Sequence, residues 1–184
     1  VEDEDGTVGW GEVWCNFPSV GAEHRARMVD SVIAPLLLGQ SFATPNAAFD
    51  HLTARTEVLA IQAGEYGAIA QAISGIDIAL WDLVARKEGK PLWQVLGGDQ
   101  ASIPVYASGL NPKDPEILAA KSFEQGYRGF KLKIGFGEDI DHTNLKALRR
   151  TLGSDVHLMV DANQGWVLDQ AIKQTKALAP YDLT

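Results

Sequence analysis

Gly129-Phe130-Lys131-Leu132-Lys133-Ile134-Gly135, followed one βα repeat later by His157-Leu158-Met159-Val160-Asp161-Ala162-Asn163, decides how this chain is read. Both runs are strand-like. In a strand, residues i and i+2 point to the same side. Lys131 and Lys133 therefore share one side, and so do Asp161 and Asn163. Phe130, Leu132 and Ile134 take the opposite side of the first run. Charged side chains are seldom buried unless they pair or ligate. Two neighbouring strands that aim two ammoniums, a carboxylate and an amide at one spot describe a catalytic constellation better than a core.

Working outward, a strand over Ile103–Ser108 precedes these two, so strands begin near 103, 129 and 157. Helices are expected between them: one capped by Asp114 with Pro115 at its first position and ended by Gly126, one over about 138–152 closed by Gly153, and one over about 167–179. This β-α-β-α-β-α order with short loops predicts a parallel sheet or barrel. Both charged triplets close their strands at the C-terminal end, where barrels and open α/β sheets build their sites. No glycine-rich phosphate loop is present. Gly9-Trp10-Gly11 lacks the third glycine and the following helix, and Gly135-Phe136-Gly137 lacks the later acidic partner.

The N-terminal part has another texture. Residues 1–15 read as a β-hairpin with its turn at Glu2–Gly6 and an extended arm Thr7–Cys15 whose sheet partners lie upstream. A loop at Asn16–Gly21 and helices at about 22–38 and 45–60 follow, the second with Thr44 as N-cap and Pro45 at N1. Tyr66–Lys87 is the clearest helix: Ile69, Ile73, Ile76, Leu80 and Leu83 recur at steps of four and three, and Gly89 and Pro91 stop it. Asp77 and Asp82 within it are expected to be hydrogen-bond anchors or surface groups rather than catalysts.

Composition narrows the function. Of 184 residues, 46% are hydrophobic and 22% charged, an ordinary globular balance. The net charge of −8, from 16 Lys+Arg against 24 Asp+Glu, comes without a basic stripe, so a nucleic-acid partner is not expected. The lysine pair attracts anions locally rather than globally. The one cysteine, Cys15, excludes an internal disulfide and a zinc cluster, fits a reducing cytoplasm, and reads as a small buried hydrophobe. No signal peptide or membrane span is expected.

The chemistry these groups suit is specific. A hard cation such as Mg²⁺ takes oxygen ligands, few of them from protein, and Asp161 is the candidate first ligand. A lysine acts as a base only if its pKa falls from about 10.4 to about 7–8. A second ammonium, a divalent cation and partial burial all push in that direction, so Lys131 beside Lys133 suits removal of a proton next to a carboxylate. The developing enediolate is then stabilised electrostatically.

At these residues the chain resembles the enolase superfamily, in its mandelate racemase and muconate lactonizing branch, whose sites use a lysine or histidine base with Mg²⁺. Asp5–Glu12 resembles the end of that family's capping-domain sheet, Ala72–Leu83 its long capping helix, and Lys90–Gly98 the link into the barrel. The K-x-K at Lys131 and Lys133, and Val160–Trp166, resemble its barrel motifs. The resemblance implies an α/β chain: an N-terminal α+β capping domain, residues 1–101, lacking its first strands, then the first three βα units of a (β/α)₈ TIM-like barrel, residues 102–184. It implies Asp161 as the first of three metal-binding carboxylates and Lys133 as the base. Lys131 would face the substrate carboxylate, Asn163 would be a substrate-side polar group, and Phe17 would line the pocket from a mobile loop, Asn16–Val20. It further implies a Mg²⁺-dependent enzyme, an acid-sugar dehydratase or cycloisomerase or else a racemase, with muconate cycloisomerase and dipeptide epimerase as alternatives. The partners expected are a small-molecule carboxylate and further copies of the same chain.

Length sets one more expectation. A complete barrel takes about 250 residues, and residues 103–184 are too few for it. The remaining metal carboxylates and the opposite-face catalyst belong on later strands, so the chain is expected to be part of a longer protein. On its own it would be an inactive fragment or a non-catalytic interaction module.

Overall fold

The computed structural model describes all residues, Val1–Thr184, which divide into two compact units, Val1–Ala101 and Ser102–Thr184. In the first unit α1 (Gly21–Met28) runs through a π-helical turn at Val29–Ile33 into α2 (Ala34–Leu37). One unbroken helix over 22–38 was expected. Pro35 has no N–H and its ring crowds the carbonyl four residues back. The wider turn relieves that conflict, with Ala34 N–H donating to the Val29 carbonyl and Ser31 Oγ to the Arg27 carbonyl.

The helix α3 (Pro45–Ala63) starts as its sequence predicts: Thr44 Oγ1 accepts from Ala47 N–H at 3.2 Å, and Pro45 occupies the first position. The next helix, α4 (Tyr66–Glu88), presents Ile69, Ala72 and Ile73 to a core shared with Ile33, Leu52 and Met28. A fully buried leucine such as Leu52 contributes about 1.5–3 kcal/mol. By length and composition α4 is apolar enough to cross a membrane, a test that a helix packed in a core also passes, and its apolar face here lies in the core. A short helix, α5 (Leu92–Val95), follows.

The expected hairpin is present only at its tip, where Val1 and Gly9 exchange backbone hydrogen bonds across the turn. Asp3–Thr7 forms a tight turn, with one antiparallel bridge, Glu2 to Val8, and no strand follows. A strand needs a ladder partner, and Gly9–Cys15 lies on α4 instead. A Cβ on Gly11 would run into the Gly75 carbonyl, and one on Gly75 into Val13. Glycine at both positions lets backbone meet backbone. Asp82 anchors the segment by accepting from Trp10 N–H at 2.8 Å and Arg86 Nε at 2.7 Å. Asp77 is half-buried, and burial pushes its carboxyl up from the ordinary value. Cys15 is free and half-buried rather than buried, with its sulfur against Gly21.

The second unit is a three-stranded parallel sheet, β1 (Ala107–Leu110), β2 (Gly129–Lys133) and β3 (His157–Asp161), in that order. Between and after the strands come α6 (Pro115–Glu124), α7 (Glu138–Leu152) and α8 (Leu168–Leu178). The first strand starts at 107, not 103, because Pro104 cannot donate to a ladder. Asp114 stands at the N-cap of α6 but with left-handed φ of 49° and no side-chain cap bond. Along β2 burial alternates as predicted. Phe130, Leu132 and Ile134 pack with Leu158 against Ala119, Leu145, Leu148 and Leu178 of the helices, while Lys131 and Lys133 face the other side. The ladder runs past the strand ends, with Ile134 N–H bonded to the Asp161 carbonyl and Thr184 N–H to the Leu158 carbonyl.

Candidate active site at the C-terminal ends of the strands

The parallel register places Lys133 directly opposite Asp161 and Lys131 opposite Met159. Lys133 Nζ donates to Asp161 Oδ2 at 2.7 Å and to Asn163 Oδ1 at 2.8 Å. Lys131 Nζ lies 3.5 Å from the same Asp161 oxygen and donates to the Tyr106 hydroxyl at 3.2 Å. The other carboxylate oxygen, Asp161 Oδ1, accepts from Asn163 N–H at 2.9 Å. Asn163 and Gln164 both hold positive φ, 47° and 61°. Two consecutive left-handed residues that are not glycine mark a turn whose conformation is held by its surroundings. The turn brings the Asn163 amide back onto Lys133.

The electrostatics follow from these contacts. The Lys133 ammonium, then the Asn163 N–H, hold the Asp161 carboxyl at about 2, well below its ordinary 3.8. Lys131 moves the other way from the expectation that crowded ammoniums are pushed toward neutrality. Its hydrogen bond to Tyr106, followed by the attraction of Asp161, outweighs burial and raises its pKa. The side chains of Lys131, Lys133 and Asp161 remain 23–30% exposed, so a ligand can reach them.

Lys131, Lys133, Asp161 and Asn163 are thus brought together. Phe17 belongs to the first unit, on an exposed loop. Tyr106 belongs to the cluster and was not singled out from the sequence. The signal for it is Gly129, where a Cβ would stand 2.9 Å from Tyr106 Cβ: glycine within a strand often marks a neighbour's close approach. A groove of about 590 Å³ lined by Tyr106, Gly129, His157 and Met159 opens at the N-terminal ends of the strands, away from Lys133 and Asp161.

For a hard divalent cation the donor chemistry is right and the number of protein donors small. Asp161 offers carboxylate oxygens at a strand end, and no group of three or more His, Cys, Asp or Glu side chains is gathered anywhere in the chain. A carboxylate oxygen of this kind suits a hard cation such as Mg²⁺.

Comparison with known proteins identifies the family. Residues 1–97 match the family described as mandelate racemase / muconate lactonizing enzyme, N-terminal domain, and residues 116–184 match the family described as enolase C-terminal domain-like. A 3,6-anhydro-alpha-L-galactonate cycloisomerase from Streptomyces coelicolor is 36% identical over all of this chain and 50% of its own length. An arabinonate dehydratase from Saccharolobus solfataricus is 31% identical over 97% of this chain and 48% of its own. Among solved structures, a mandelate racemase/muconate lactonizing enzyme from Bordetella bronchiseptica superposes with a TM-score of 0.95 at 57% identity, covering all of this chain and 50% of that one. A racemase from Streptomyces coelicolor with bound magnesium superposes with a TM-score of 0.88 at 36% identity, covering 99% of this chain and 54% of that one. The chain spans about half the length of these relatives. It belongs to the mandelate racemase/muconate lactonizing enzyme family of the enolase superfamily.

Proposed function

We propose that the chain forms part of a Mg²⁺-dependent enzyme that removes the α-proton of a small carboxylate, and that Lys133 takes the proton. The observation that carries this reading is the convergence of the Lys133 and Lys131 ammoniums on Asp161 Oδ2, at 2.7 and 3.5 Å, on one open strand-end face. In this reading Val1–Ala101 is the capping domain and Ser102–Thr184 supplies the first three βα units of a (β/α)₈ barrel.

Each residue has a chemical task. The Lys131 ammonium binds a substrate carboxylate oxygen. Lys133, as free amine, accepts the α-proton; the C–H electron pair passes into the carboxylate, giving an enediolate. The Asn163 amide orients Lys133 and offers a donor to substrate oxygen. Asp161 would hold a divalent ion, which would supply positive charge to polarise the substrate carboxylate. The further metal donors and the acid on the opposite face come from the remainder of the enzyme. The active form is a homo-oligomer, which light scattering of the purified protein checks.

Acid sugars are the favoured substrates. The cycloisomerase and the dehydratase above act on such compounds by name, and so does a D-galactarolactone cycloisomerase from Agrobacterium fabrum at 34% identity. A second reading, dipeptide epimerisation, has support from a hydrophobic dipeptide epimerase of Enterococcus faecalis at 34% identity over the whole chain. Incubation with 3,6-anhydrogalactonate, arabinonate, galactarate and hydrophobic dipeptides in deuterium oxide with Mg²⁺ separates them. Loss of water or ring opening identifies the acid-sugar reaction. Deuterium in recovered dipeptide identifies the epimerase. Inertness toward every carboxylate, in a protein that binds Mg²⁺, contradicts the proposal.

A further inference from the structure

The loop that follows Lys133 is held by a buried carboxylate outside the cluster described above. Asp141, in the first turn of α7, is only 6% exposed and forms no ion pair with a basic side chain. Its Oδ2 accepts from Gly135 N–H at 2.8 Å and its Oδ1 from Phe136 N–H at 3.4 Å. Its own N–H returns to the Gly137 carbonyl at 2.9 Å. Taking a carboxylate out of water is costly unless donors replace the water, and here the donors are the backbone of the β2–α7 loop. Gly135 stands two residues after Lys133, with φ of 97°, and its α-carbon faces the Trp166 indole of the β3–α8 turn. One turn further along α7, Asn144, 8% exposed, donates from Nδ2 to the Pro112 carbonyl in the β1–α6 loop at 2.8 Å. The inward polar positions of α7 thus hold two successive loops at the catalytic end of the sheet.

We propose that Asp141 is the positioning residue for Lys133. By fixing the Gly135 amide it sets where β2 leaves the sheet, and so where the Lys133 side chain is aimed. This rests on the reading of Lys133 as the proton-accepting lysine. Displacing a catalytic group by about 1 Å can cost about 10²-fold in rate.

The test compares Asp141→Ala and Asp141→Asn with the unchanged protein. Asp141→Leu, similar in size but without an acceptor, serves if the alanine variant does not fold. Three readouts are taken: amide hydrogen exchange at Gly135, the NMR signal of the Lys133 ammonium, and the kinetics of α-proton exchange. In the alanine variant Gly135 is expected to lose protection, the Lys133 signal to shift, and kcat to fall about 10²-fold with KM nearly unchanged. Asp141→Asn, which keeps an acceptor oxygen, is expected to restore most of each. A folded alanine or leucine variant with an unchanged Lys133 signal and unchanged kcat overturns the proposal. If the unchanged protein shows no exchange activity, the functional reading fails separately, and the Lys133 signal still decides whether Asp141 positions that side chain.

Discussion

At the scale of single residues, the site is an arrangement in which one carboxylate restrains two ammoniums. Its pH response follows from the shifts. Asp161, held at about 2 against an ordinary 3.8, contributes stability that is present above pH 3.8 and lost as pH falls through 2. Lys131, raised above 10.5, contributes stability that is present below that value and lost as pH climbs through its raised pKa. The protein should therefore be more stable than its Asp161→Asn variant at neutral pH. The difference should close at both extremes and shrink with added salt; chemical unfolding across pH measures it. Period-two side-chain geometry made Lys131, Lys133 and Asp161 legible on neighbouring strands, whereas Asn163 lies past the end of β3 and reaches Lys133 through a left-handed turn rather than through strand alternation. Tyr106 was harder to see. It precedes its strand, and only the glycine opposite it signals the contact. The direction of the Lys131 shift was hidden as well: it depends on the Tyr106 hydroxyl and on which Asp161 oxygen each lysine reaches, and both are three-dimensional facts.

At the scale of elements, periodicity and punctuation gave the helices and two strands well. The bounds of α7 and β3 match their expected ranges, because Gly153 and strict apolar spacing leave little freedom. Elements whose form depends on a partner were poorly legible. Gly9–Cys15 has strand composition but no ladder, so it lies on α4. A methyl group at Gly11 should force that segment away, and Gly11→Ala is expected to cost about 1–3 kcal/mol in denaturant unfolding, as overpacking does. In the sheet, Phe130 is fully buried between strands and helices, and Phe130→Ala should cost about 3–5 kcal/mol. The Lys131 and Lys133 side chains leave the opposite face, so Lys133→Ala should leave the core intact and lose only the ion pair with Asp161, a small destabilisation at neutral pH that disappears as pH falls through 2.

At the scale of the whole molecule, each unit carries its own core, and the second keeps its helices on one face of the sheet and its charged groups on the other. This segregation supports a catalytic rather than a structural role for the lysines, since the folding core makes no use of them. The family assignment covers both units, and the chain spans about half of its relatives' length, so the proposed activity is to be measured on the whole natural protein. There, Asp161→Ala should weaken Mg²⁺ binding at least tenfold by calorimetry, since loss of a carboxylate donor removes more than about 1.4 kcal/mol. The measurement that tests the central claim most directly is α-proton exchange in deuterium oxide with the Lys133→Ala variant. The account predicts that exchange into substrate disappears while Mg²⁺ affinity stays as it was. Exchange that persists at a comparable rate in that variant would show that another group takes the proton, and would contradict it.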